Sequence, residues 1–323
     1  MREDDIGRRA FGADLAETLA REPRQISSKY FYDELGSALF EAITRLPWYR
    51  ITRAETAMLA RHARDIFDPR RGSATLAELG CGSGDKIAVL VGAAGEPFPL
   101  IQLIDISPAA LDTARYRLQA IGVRDVITHH AAYEEGLMRA IERRPPETAL
   151  VVLFLGSNIG NFVPSAARDL LRRIRQSLRA GDALLLGADL VKPERDLLLA
   201  YDDPLKVTAA FNRNVLRRIN DELGANFNLA AFSHRAAWNA AAQRVEAYLV
   251  SARRQTVSIP GAGVELELRE GEAIWTESSY KYEPDQVMAE GLAAGFSGGE
   301  QWVDGDAKFA LTRFDVNGEP ARG

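Results

Sequence analysis

The middle of the chain alternates between two hydrophobic periods. Apolar runs at "ATLAELG" (74–80), "LIQLID" (100–105), "TALVVLFLG" (148–156) and "DALLLGADL" (182–190) read as short strands, buried in the case of 148–156, and "DVITHHAA" (125–132) is strand-like. Between them, residues 84–93, "SPAALDTARYRLQAIG" (107–122), 133–142 and "PSAARDLLRRIRQSL" (164–178) space their apolar residues as one face of a helix does. Ser107 and Pro108 occupy the N-cap and first helical position, and Pro164 opens its helix likewise. Such alternation predicts an α/β fold, a doubly wound and mostly parallel sheet.

The flanks follow other patterns. Residues 1–66 and 193–222 read as helical, and "TRAE" (52–55) reads as a capping box opening the helix "TAMLARHARDIF". From residue 232 the strands lengthen: "FSHRAAWN", "QRVEAYLVSARR", "GVELELREG" and "EAIWTESSYKY", consistent with an antiparallel meander. Pro284 starts a further helix, and strands near 299–304 and 308–316 follow. The expected organisation is a core of residues 63–196 plus 284–323, and an α+β second lobe of residues 1–62 plus 197–283.

Composition narrows the function. Across 323 residues the apolar share is 46% and the charged share 26%, which supports a sizeable core. A net charge of −5 offers no basic face for nucleic acid. No apolar stretch approaches a membrane span, and the opening "MREDDIGRRAF" has no apolar centre of a secretory signal. Cys81 is the single cysteine, which excludes an internal disulfide and a cysteine zinc cluster. A cytoplasmic enzyme is expected, acting as a monomer on a small molecule.

Candidate chemistry begins at "AELGCGSGDK" (77–86), after the first strand and before a helix. Gly80, Gly82 and Gly84 are spaced G-x-G-x-G, whereas a dinucleotide fingerprint needs its third glycine where Asp85 stands. The pattern, with Glu78 ahead of it, fits the first motif of S-adenosylmethionine-dependent methyltransferases, and so a sheet of the class I methyltransferase type. Asp105, closing the next strand, suits the ribose hydroxyls; a helix-capping role is the alternative. In "VVLFLGSNIGNF" (151–162), Asn158 and Asn161 follow the fourth strand, where such folds bind ligands. Neutral amides there could hold a zwitterionic acceptor, or merely stabilise a tight turn.

Six stretches carry a resemblance: "KYFYDELGSALFEAITRLPWYRITRAE" (29–55), "AELGCGSGDK", "FLGSNIGNF", "LLLGADLVK" (184–192), "YDDPLKVTAAFNRNVL" (201–216) and "TESSYKY" (276–282). In this order they resemble the histidine-specific N-alpha-methyltransferases, which form hercynine in ergothioneine biosynthesis. The resemblance implies S-adenosylmethionine as methyl donor, L-histidine as acceptor and a substrate-binding role for the second lobe. It implies that Tyr49, Asn161 and Tyr201 bind the amino and carboxylate end of the acceptor. Glu277, Ser278 and Ser279, in "TESS", would hold the imidazole, with Ala247 lining its pocket. Tyr32 would lie near the reacting amine and, with Asn161, assist catalysis. The donor would be held by Gly80, Gly82, Gly84, Lys86, Asp105 and Gly156, and its adenine by Ala132 and Tyr133.

Two positions depart from the family pattern. Ala132 stands where an acidic residue contacts the adenine amino group, and Ala247 where a bulkier methionine lines the ring pocket. The smaller Ala247 enlarges that pocket, so N-alpha-methylation of tryptophan or tyrosine is the rival reading, while Glu277 favours an imidazole. No metal is expected: His129 and His130 point to opposite faces of one strand, His62 lies in a helix and His234 stands alone.

Overall fold

The computed structural model describes residues 3–67, 73–95 and 97–317. In chain order the elements are α1 (Glu3–Leu19), α2 (Glu34–Thr44), α3 (Ile51–Ile66), β1 (Ala74–Leu79), α4 (Asp85–Ala94), β2 (Ile101–Asp105), α5 (Pro108–Ala120), β3 (Val126–His130), α6 (Tyr133–Arg143), β4 (Ala149–Phe154), α7 (Pro164–Ser177) and β5 (Ala183–Asp189). They continue with α8 (Glu194–Tyr201), α9 (Val207–Leu223), β6 (Phe232–Asn239), β7 (Arg244–Ser251), β8 (Gln255–Ile259), β9 (Val264–Leu268), β10 (Ala273–Tyr280), α10 (Pro284–Ala293), β11 (Gly298–Asp304) and β12 (Phe309–Asp315).

Two compact units emerge: residues 50–191 with 280–323, and residues 1–49 with 192–279. The boundaries differ from those expected from the pattern. Residues 50–62 belong with the sheet, because α3 packs on α4 and β12.

The first unit is a seven-stranded sheet ordered β11-β12-β5-β4-β1-β2-β3. Strands β1 to β5 pair in parallel, while β12 joins β5 and β11 joins β12 antiparallel. Parallel strands covered on both faces must be apolar throughout, and β4 and β5 are buried nearly end to end. The strand order reverses between β1 and β4, which makes their carboxyl ends the natural ligand edge. This is the doubly wound sheet of the class I methyltransferase type that the alternation predicts. Ser107 caps α5 as expected, its hydroxyl accepting the Ala110 N–H at 3.3 Å. The capping box at 52–55 does not form. Arg50 is the N-cap of α3, Thr52 lies inside the helix, and Glu55 is turned into the protein.

In the second unit α9 packs against α2 and β6, and α8 covers β6 and β7. The late strands do not make one meander. β10, β7 and β6 form a three-stranded sheet, and β8 and β9 pair separately as a hairpin. Asp33 caps α2 through the Gly36 N–H at 2.7 Å and accepts a second bond, also 2.7 Å, from Asn214 on α9. That carboxylate ties the two helices together.

Candidate active site

In the sheet unit, the turn after β1 folds on three glycines with left-handed backbone: Gly80 (φ 73°), Gly82 (φ 51°) and Gly84 (φ 74°). Only glycine adopts this conformation without strain. A side chain at Gly80 would also be crowded, since its Cβ would lie 3.1 Å from the Asn158 amide nitrogen and 3.2 Å from the Tyr133 hydroxyl. Asp105 braces the turn: one carboxylate oxygen accepts the Gly82 N–H at 3.0 Å, the other the Ser107 N–H at 2.9 Å. Burial pushes the Asp105 pKa up, against the pull of its backbone hydrogen bonds to Gly82, Ser107 and Ile106.

Beneath the turn lies a buried ionic cluster. Lys86 reaches Glu55 at 2.7 Å, and Glu55 accepts the Gly156 N–H on both oxygens, at 2.8 and 3.0 Å. Glu78 is 2% exposed, and its Oε2 has no hydrogen-bond partner among the described residues. Burial raises its pKa to about 8; Lys86 pulls it down, while Glu55 and Asp105 push it up. The cluster therefore sets three carboxyl groups against one ammonium, a setting that favours an added positive charge. The Cys81 thiol, in the same turn, is pushed up by burial and then by Glu78 and Asp105, so a thiolate nucleophile is disfavoured there.

Asn158 and Asn161 bound a 3-10 turn after β4. The structure separates the two: the Asn158 amide overhangs Gly80, and Asn161 is exposed. Ala132 is the exposed N-cap residue of α6, followed by the half-buried Tyr133. Tyr133 stacks edge-on against Phe154, and burial raises its phenol pKa, so it remains a neutral hydrogen-bonding group. The fold brings two further residues to the residues expected on the donor side, Asn158 beside Gly80 and Glu55 beside Lys86 and Gly156. For Asn158 the strand-end position was the available signal; for Glu55 the local helix pattern concealed it.

The residues that the resemblance assigns to the acceptor, apart from Asn161, belong to the second unit. Tyr32 packs edge-on to Phe40 at 5.6 Å and Phe211 at 5.7 Å, Phe40 lies 6.3 Å from Tyr49, and Tyr49 lies 6.4 Å from Tyr201. The Tyr201 hydroxyl donates to Ser279 Oγ at 2.8 Å. Tyr32, Tyr49, Tyr201 and Ser279 thus form a continuous aromatic and hydroxylic wall. Ser279 and Glu277 share strand β10 with Ser278, and the Glu277 carbonyl accepts the Trp275 indole N–H at 2.7 Å. Ala247 is buried on β7 opposite Ala236, and its carbonyl accepts the Thr276 hydroxyl at 3.0 Å.

His234 does not stand alone. Its Nδ1 accepts from Asn212, and its Nε2–H donates to the Tyr201 carbonyl, both at 2.8 Å. Burial lowers its pKa against the opposing effect of that carbonyl, so it is a neutral brace for the end of α8. His129 is buried against Gln102 and His130 is exposed, on opposite faces of β3. Among the described residues no group of three metal-ligating side chains converges, and no helix is long and apolar enough to cross a membrane.

The reversed parallel sheet, the three-glycine turn and the acid closing β2 define an S-adenosylmethionine-dependent methyltransferase unit. The chain belongs to the family of histidine-specific, S-adenosylmethionine-dependent methyltransferases, whose pattern it matches over residues 11–316. A histidine N-alpha-methyltransferase of Mycolicibacterium smegmatis is 37% identical over 313 residues, 95% of this chain and 95% of its own. Ergothioneine biosynthesis protein 1 of Schizosaccharomyces pombe is 30% identical over 212 residues, 62% of this chain and 27% of its own. An L-tryptophan methyltransferase of Psilocybe serbica is 27% identical over 336 residues, 95% of this chain and 93% of its own.

Proposed function

We propose that this enzyme transfers three methyl groups in succession from S-adenosylmethionine to the α-amine of L-histidine, forming hercynine for ergothioneine biosynthesis. The observation that carries this reading is the Tyr201–Ser279 hydroxyl pair in the unit that also presents Glu277, in a chain 37% identical to a histidine N-alpha-methyltransferase. The proposal includes a cytoplasmic, monomeric enzyme; the single cysteine is in keeping with a reducing compartment.

The donor-side residues fit the donor. Gly80, Gly82 and Gly84 leave the backbone open to close approach, Asp105 offers carboxylate lone pairs to ribose hydroxyls, and Ala132 and Tyr133 would border the adenine. Lys86 suits the donor's carboxylate, Gly156 sits beside that lysine, and Glu78 suits its positive charge. S-adenosylmethionine would supply a methyl group on a sulfonium, an electrophile strong enough that alignment is the main demand on the protein.

The acceptor-side residues would orient a neutral amine. Tyr49, Asn161 and Tyr201 hydrogen-bond the amino-acid end without a fixed charge that would pin the amine in its protonated form. Tyr32 would pass the departing proton to water. Ring faces also suit the quaternary ammonium of the product. Glu277 and Ser279, two apart on β10 and so on one face, would satisfy the two ring nitrogens, while Ser278 between them faces the other way and would contribute through its backbone; a ring lacking those nitrogens would leave the polar groups unmatched.

Mass spectrometry of products from the twenty standard amino acids, mixed with donor and enzyme, tests the proposal. Trimethylhistidine is the expected product. A second reading, methylation of tryptophan, is favoured by the small Ala247, whose register partner on the neighbouring strand β6 is another alanine, Ala236. Trimethyltryptophan as the main product would replace the first reading with the second.

A further inference from the structure

A carboxylate with no solvent exposure is costly unless it is paired and hydrogen-bonded. Glu55, on α3, is such a group, at 0% exposed. Its partners come from two other segments: Lys86 on α4 at 2.7 Å, and the Gly156 N–H beyond β4 at 2.8 and 3.0 Å. A third segment makes room for it. Gly187 lies in the middle of β5, where any Cβ would sit 2.1 Å from Glu55 Oε1. Gly156 is constrained chiefly by its left-handed backbone (φ 77°), and a Cβ there would also lie 2.8 Å from the Lys86 ammonium. The Lys86 side chain remains 21% exposed while that of Glu55 is 1% exposed. Lys86 is therefore tethered to a buried charge while part of its side chain stays accessible. With three N–H donors, it keeps bonding capacity for a second anion.

We propose that Glu55 is a positioning residue: held in the notch at Gly187 and fastened by the Gly156 N–H, it aims the Lys86 ammonium at the donor's amino-acid end. The proposal rests on the reading that the sheet unit holds S-adenosylmethionine. The carboxylate of that compound is its only anionic group, and so the only part that a tethered ammonium would recognise. Gly187 does not touch the donor in this assignment; it acts by leaving space for Glu55.

Calorimetric titration with two ligands separates this role from a purely structural ion pair. S-adenosylhomocysteine carries the amino-acid end, and 5′-methylthioadenosine lacks it. Glu55→Gln is expected to weaken S-adenosylhomocysteine by about tenfold or more, the scale of one charged hydrogen bond. Its affinity for 5′-methylthioadenosine should stay within about twofold. Gly187→Ala should show the same split, because its methyl displaces the carboxylate. Glu55→Asp, which keeps the charge and adds no volume, keeps the test open should either variant fail to fold. Unchanged binding of S-adenosylhomocysteine, or equal weakening of both ligands, overturns the positioning role. Wild-type protein that binds neither ligand would instead overturn the donor reading itself.

Discussion

The hydroxyls of Tyr201 and Ser279 meet at 2.8 Å in a buried setting, and both positions were legible only through the family resemblance. Nothing in "LLLAYDD" or "TESSYKY" taken alone separates a binding tyrosine from an amphipathic surface one. The two asparagines show the same limit. Their spacing marks a polar strand end, but only the fold reveals that Asn158 overhangs Gly80 while Asn161 is exposed. Glu277 allows a direct test at this scale. A site that hydrogen-bonds a ring nitrogen rejects rings that lack one, because its polar groups would be left unmatched. Glu277→Ala should therefore lower the preference for histidine over phenylalanine by about 100-fold, measured by competition with labelled donor. Tyr201→Phe should raise the histidine KM by about tenfold, the scale of one hydrogen bond, without altering donor affinity.

Elements buried on both faces were the most legible. Four of the five parallel strands, β1, β2, β4 and β5, are near-continuous apolar runs that no solvent face interrupts, whereas β3, at the sheet edge, is partly exposed and carries a threonine and two histidines. Pairing was less legible: "GVELELREG" looks in the sequence like a member of the meander, yet it pairs as β9 with β8, a short strand (Gln255–Ile259) that the pattern does not mark. Helix starts divide instructively. Ser107 and Thr52 both precede helical patterns, yet Ser107 bonds the Ala110 N–H, and Thr52 is an interior residue whose carbonyl accepts the Thr56 hydroxyl at 2.7 Å. The apparent capping box misled because Glu55 answers to a tertiary demand, the pairing of Lys86, which no local pattern encodes. Ser107→Ala should thus cost about 1 kcal/mol of stability, the usual value of an N-cap. Thr52→Ala should change stability by less than about 0.5 kcal/mol, as expected of a helical residue without a capping role. Urea unfolding of the two variants checks the contrast.

For the whole molecule, the buried acids link folding, protons and donor. The Glu78 pKa rises from its ordinary 4.5 to about 8 through burial, tempered by Lys86 and reinforced by Glu55 and Asp105. Below 4.5 the carboxyl group is protonated in both folded and unfolded chains; between 4.5 and about 8 the folded chain retains a proton that the unfolded chain has lost. Folding then takes up a proton, so this group's contribution to stability declines as pH rises through that window and levels off above it. Thermal unfolding of the donor-free protein from about pH 6 to 9 should show wild type losing stability relative to Glu78→Gln, which cannot ionise. Parallel curves for the two proteins would contradict the account. Donor binding should reverse the proton flow, because a sulfonium and an ammonium brought to this cluster favour the ionised acid. Wild type should release up to one proton on binding S-adenosylmethionine near pH 7, visible as a binding heat that changes between buffers of different ionisation enthalpy. Glu78→Gln should release less, and its donor affinity should lose the rise with pH that wild type shows between about pH 6 and 8.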